Sequence, residues 1–243
     1  MPSCFECIRP SNPDGQENIP AVLWAIKNMA NKGIPFGIWY GGASGWTFKR
    51  GSVPNKTVCY ESCWTSYMNG ADSQTESYFK RSGFASRSGG FKGRNEGIAW
   101  FKSGGDDRAF VTDITKGEIG DIVFMGNSGN MGGHATLLLD IPEVTKDQDG
   151  NILSVRLITL STSSDSDASG GYGVRDFSFT LRDGVWEPDD GVPGHVFRGF
   201  GQMNNLDATD EQMLDLHIQK ISLDYGDVKS LSTQTGEIIT NDN

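Results

Sequence analysis

A chain of 243 residues, 36 % hydrophobic and 21 % charged, can bury one core with elaborations, or two small ones at most. Its net charge of −10 repels phosphate backbones, which argues against a nucleic-acid partner and otherwise reads as solubility. No apolar run approaches the roughly 18 residues of a membrane span, so no membrane insertion is expected.

Residues 1–17 are polar and broken by Pro10, Pro13 and Gly15, an irregular leader with no basic stretch followed by an apolar one. The reading is a product made in the cytoplasm without a signal peptide. From Ile19 to Asn31, Val22, Leu23, Ile26, Met29 and Ala30 share a helical face; Pro20 suits the first turn and Gly33 the stop. The glycine- and aromatic-rich segment 34–46 reads as an ordered loop or short strand. A second helix is expected over 57–69, with Thr57 as N-cap, Glu61 near its positive end and Gly70 as terminator. A third is expected over 73–82, then a glycine-rich loop over 83–97.

The second half changes character. Residues 120–126 and 134–141 read as strands, and DQDGN at 147–151 as the turn that pairs 134–141 with 154–161 in an antiparallel hairpin. Residues 174–181 and 195–201 are further strands, and 209–223 an amphipathic helix before a polar tail over 226–243. Helices first and strands second predict an α+β fold, with N-terminal helices packed on an antiparallel sheet in one domain over 18–225.

Four cysteines fall in two pairs, Cys4 with Cys7 and Cys59 with Cys63. Three readings stay open: four thiolates on one zinc, disulfides, or one nucleophile among bystanders. The helical look of the second pair tells against zinc, whose ribbon knuckles are turns. Cys59 falls in the first turn of its helix, where free N–H groups and the dipole favour a thiolate and suit an oxyanion. The alternative for Cys59 is a small buried apolar residue. Cys63, one turn further in, reads as core beneath the site and is the rival nucleophile. Of three histidines, His217 reads as a solvated helix residue and His195, after a Pro-Gly turn, as a group behind the site. His134 opens the run ATLLLDI, either projecting from a strand start or exposed on a loop.

The segment GDIVFMGNSGNMGGHATLLLD (120–140) resembles the Gly-Asp strand and Gly-His strand of NlpC-type cell-wall cysteine peptidases, part of the papain-like group that includes CHAP domains. Upstream, GIPFGIWYGGASGW and then VCYESCWTSYMNGA resemble that family's aromatic-Gly-Gly segment and cysteine helix, in the family's order. The likeness covers roughly residues 33–180. The family's Asp-Cys-Ser-Gly is replaced by Val58-Cys59-Tyr60-Glu61. The helix length that follows favours Cys59 over Cys63.

The resemblance implies a papain-like fold in which Cys59 attacks an amide carbonyl and His134 takes the thiol proton. The orienting residue falls on the strand after the histidine strand, at Ser161 or Thr162, with Asp140 ranked lower. Tyr40 matches an aromatic at the oxyanion site, and Trp39, Tyr40 and Trp46 would wall the substrate groove; a packing role is the alternative for Tyr40 and a core position for Trp46. No cofactor or metal is implied. The implied substrate is a peptidoglycan stem peptide. With no signal peptide, the implied route is secretion machinery, as for a type VI effector, or a phage, reaching a target-cell periplasm and met by an immunity protein. Two other functions compete: a protease, deamidase or acyltransferase toxin acting on a host protein, and a non-catalytic domain held by zinc or disulfides.

Overall fold

The computed structural model describes residues 19–37, 53–70, 94–104, 108–126, 133–162, 171–191, 195–203, 214–216, 218–220 and 223. The leader with Cys4 and Cys7, the aromatic segment beyond Gly37 with Trp39, Tyr40 and Trp46, the helix expected over 73–82, residue His217 and the tail lie outside them.

Helix α1 spans Ile19–Asn28 and buries Ile19, Ala21, Val22, Leu23, Ala25 and Ile26. A 3-10 turn, Ala30–Lys32, closes on Gly33 in the left-handed region at φ 58°, as glycine permits. Helix α2 spans Cys59–Gly70. Thr57 does not cap it: Thr57 sits in a parallel bridge with Phe36, and its hydroxyl donates to the Val58 carbonyl. Gly70 is the helix's last residue, and a Cβ there would lie 2.5 Å from the Pro20 carbonyl oxygen of α1. This contact lets the two helices close on each other.

Residues Glu61 to Met68 of α2 are all buried, polar ones included. Two of their hydroxyls close within the helix: Ser62 donates to the Cys59 carbonyl and Ser66 to the Ser62 carbonyl, both at 2.6 Å. The helix is therefore a central strut. Tyr67 fastens it to the sheet, its hydroxyl donating to the Gly120 carbonyl at 2.6 Å. Helix α3, Arg94–Lys102, occupies the end of the stretch expected to be loop. Its Gly97 is a point of close approach, because a Cβ would meet the Phe124 ring at 2.7 Å.

The strands are β1 Arg108–Val111, β2 Ile122–Gly126, β3 Gly133–Leu138, β4 Glu143–Lys146, β5 Ile152–Thr162, β6 Tyr172–Arg182, β7 Val185–Pro188 and β8 Phe197–Met203. They form one sheet in the order β1-β8-β2-β3-β5-β6-β7, with β4 beside β5. Every pairing between strands is antiparallel, so the described fold is α+β as expected. One detail of the expectation fails. The Asp147–Asn151 turn joins β4 to β5 rather than β3 to β5, with the Asp147 carboxylate accepting from the Asp149 and Asn151 N–H groups.

Alternation along the strands sorts side chains to two faces. Ile122, Phe124, Ala135, Leu137, Ile158 and Leu160 pack with α1, α2 and α3. Val123, Met125, Leu138, Val155, Leu157, Phe177, Phe179, Phe197 and Phe200 form a second cluster on the other face. The sheet curls around that second cluster. Phe179 on β6 and Phe197 on β8 have ring centroids 6.0 Å apart, although β2, β3 and β5 lie between their strands in the sheet. A flat sheet would separate them by roughly 19 Å. A bulge helps bend it: the β2–β8 register shifts between Phe124 and Met125, opposite Gly199 at φ 146°.

Candidate active site

Cys59 is the first residue of α2, and α2 lies across β3. In β3 the Leu139 N–H donates to the Ile158 carbonyl on the β5 side, and the Leu138 N–H donates to Asp121 on the β2 side. The two-residue period turns the Ala135 N–H toward β5 as well. The β3–β5 register holds only at Leu137↔Leu160 and Leu138↔Thr159. Ala135 thus lies beyond the last paired rung, and its N–H reaches the sulfur of Cys59. The backbone of Tyr60 and of Cys59 itself also draws that thiol down.

The helix start does not make a resting thiolate. Burial pushes the Cys59 thiol up, and it outweighs the three N–H groups that pull it down. Cys63 is fully buried in the helix-side core, its sulfur donating to the Cys59 carbonyl at 3.4 Å. Burial, with Cys59 beside it, holds the Cys63 thiol well above its ordinary value. Cys63 is placed as core, and Cys59 keeps partial exposure.

His134, the second residue of β3, stands next to Ala135 and turns its ring to the curled face. Its Nε2 lies 2.8 Å from the Ser161 Oγ, across the separation of β3 and β5. The Ser161 hydroxyl donates in turn to the Thr162 carbonyl at 3.4 Å. In the tautomer that matches this direction, Nε2–H donates to Ser161 and the lone pair is on Nδ1. His134 is lowered to about 3, by burial first and then by His195 and Arg175. The imidazole is accordingly neutral at pH 7.

The structure brings His134 and Ser161 together at the end of the β3–β5 pair, and sets Cys59 against the neighbouring Ala135 backbone from the helix side. It does not join sulfur to imidazole: no hydrogen bond links Cys59 Sγ to His134, and the sulfur rests on the peptide that follows it. Asp140 is placed elsewhere, accepting from Lys220 at 2.8 Å. Thr162 is buried with its hydroxyl unpartnered.

Sequence reasoning missed most of what surrounds His134. His195 and Phe177 lie against its ring, at centroid distances of 5.4 and 5.8 Å. The Asp190 carboxylate accepts from His195 Nδ1 at 2.9 Å. Arg175, from β6, donates to the Gly171 and Val174 carbonyls. Only His195, following its Pro-Gly turn, carried any signal.

An open groove of about 310 Å³, lined among others by Phe110, Trp186, Lys102 and Arg198, holds none of these site side chains. Among the described residues no group of three or more His, Cys, Asp or Glu is arranged to hold a metal ion, and no helix is long and apolar enough to cross a membrane. Comparison with known proteins finds no matching family model, no matching curated protein and no matching solved structure.

Proposed function

We propose that the chain is a papain-like cysteine hydrolase that cleaves an amide bond in peptidoglycan stem peptides. The observation that supports this reading is that Cys59, the first residue of α2, lies against the backbone of Ala135, the residue after His134 on β3, while Ser161 sits at Nε2 of that imidazole. Helix start, strand start and hydroxyl follow one another along the chain in the order that the resemblance to NlpC-type peptidases implies.

In this reading the resting pair is thiol and neutral imidazole. The ring turns at the strand's open end so that Nδ1 faces the sulfur. As Sγ attacks the carbonyl carbon, Nδ1 takes the thiol proton, and the resulting imidazolium is steadied through Nε2 by Ser161. The oxyanion falls near the N–H groups of Cys59, Tyr60 and Ala135, which already serve the sulfur. Collapse expels the amine with the proton from His134 and leaves a thioester on Cys59. Water, deprotonated by the same imidazole, then releases the acid and the free thiol. The aromatic residues Trp39, Tyr40 and Trp46 would line the approach. The substrate class implies action in a target-cell periplasm after delivery by secretion machinery or a phage, with an immunity protein as partner.

The test is fragment analysis of purified peptidoglycan after incubation with the chain and with Cys59→Ala. New peptide ends with the first and none with the second are expected. Equal release by both discards Cys59 as nucleophile.

One observation favours a second reading, a non-catalytic domain: the Cys59 thiol is raised and no bond joins it to His134. That reading expects no new peptide ends from either protein.

A further inference from the structure

We propose that His195, braced by Asp190, is a positioning residue that fixes the orientation of the His134 imidazole; the inference rests on His134 being the base of the proposed hydrolase. His195 precedes β8, whereas His134 lies on β3 and Phe177 on β6. The curl of the sheet is what brings them together. His134 and His195 have centroids 5.4 Å apart, His134 and Phe177 5.8 Å, and Phe177 meets His195 edge-on at 5.1 Å and 83°. The three rings close a triangle on the inner face of the sheet.

Each ring has its own anchor. A carboxylate at neutral pH only accepts, so the 2.9 Å contact with Asp190 fixes the proton on His195 Nδ1 and the orientation of that ring. Phe177 is part of the inner cluster. Ser161 holds Nε2 of His134. A hydroxyl on one edge and two rings on the inner side fix the His134 imidazole.

The titratable and charged groups acting on His134 are Arg175 from β6 and His195, with Asp190 behind it, from the segment between β7 and β8. Arg175 and His195 both add to burial in holding His134 down, so the imidazole rests neutral.

The experiment compares the full chain with His195→Ala, His195→Phe and Asp190→Asn. It reads the His134 ring titration by NMR, the iodoacetamide reaction rate of Cys59 against pH, and peptidoglycan cleavage. His195→Ala should slow Cys59 alkylation and cleavage by about tenfold or more, through lost orientation of the base, and should raise the His134 midpoint. His195→Phe keeps a ring and removes the charge. It should recover both rates to within about threefold of the native chain and still show the raised midpoint. Asp190→Asn should move rates and midpoint the same way as His195→Ala, by less. An unchanged His134 midpoint in both His195 variants, with unchanged rates, overturns the proposal. If His195→Ala fails to fold, Asp190→Asn, which frees the His195 ring from its anchor, decides through the two rates. Cleavage that survives Cys59→Ala would defeat the hydrolase reading, while the NMR titration still decides whether His195 governs His134.

Discussion

Replacing Ser161 by alanine tests whether that hydroxyl sets the base. Ser161 is completely buried, and its Oγ lies 2.8 Å from Nε2 of His134. Alanine leaves a buried N–H without its partner, which costs about 1–3 kcal/mol. For a domain of this size each kcal/mol moves Tm by roughly 2–4 °C, a shift readily seen by circular dichroism. The chemical effect is separate. Without Ser161 the proton is free to move from Nε2 to Nδ1, and Nδ1 then has no lone pair for the thiol. Cleavage should fall by about tenfold to a hundredfold, more than the small stability loss explains for a protein still folded at assay temperature. Ser161→Thr keeps a hydroxyl and should restore much of the loss. A Ser161→Ala protein with native Tm and native cleavage would refute the reasoning.

Three further outcomes follow from the same geometry. In a Cys4→Ser, Cys7→Ser background, native alkylation should modify Cys59 and spare the buried Cys63; because burial raises the Cys59 thiol, its rate should still be climbing at pH 9, and a plateau near pH 6 would show a preformed thiolate instead. His134 holds its proton only below about 3 in the fold, against an ordinary 6.5, so the unfolded chain binds the extra proton between those values and stability drops as pH falls through that window. Urea melts at pH 7 and pH 5 should show the native chain losing roughly 2 kcal/mol more than His134→Gln; staying above pH 5 avoids Asp113 and Asp147, whose carboxyls are held down by hydrogen bonds. Gly70→Ala should destabilise by about 1–3 kcal/mol despite alanine's better helix propensity, because the new Cβ would meet the Pro20 carbonyl at 2.5 Å; a higher Tm would show that α1 and α2 can part without cost.

Periodicity made the long strands legible. Residues 152–162 and 172–182 alternate or run apolar over many positions, and the turn at 147–151 is spelled by its own Asp and Gly. Short strands were not: β1, β4 and β7 have four residues each, too few for a pattern to show. Glycine misled in α3, where Gly97 looks like a breaker but admits the Phe124 ring. In α2 the burial of Glu61 through Met68 was not legible, because Ser62 and Ser66 close their hydroxyls on the helix's own carbonyls.

The site divides along the same line. Cys59 at a helix start and His134 at a strand start are local signals, and the structure puts both residues there. Ser161 came from matching strand order to a family, and the register of β3 and β5 places it on the imidazole. His195 and Phe177 reach His134 only because strands far apart in the sheet order curl together, and no window of sequence carries that information. The thiol's raised state was equally hidden, since a helix start and a buried sulfur pull in opposite directions and only the packing decides.

The most direct measurement is acid-quench mass spectrometry of the chain during turnover of a peptidoglycan-derived peptide, with the modified residue located by peptide mapping. An acyl group carried on Cys59, absent in His134→Ala, is the expected result. Turnover with no acyl group on Cys59, undiminished in Cys59→Ala, would contradict the account.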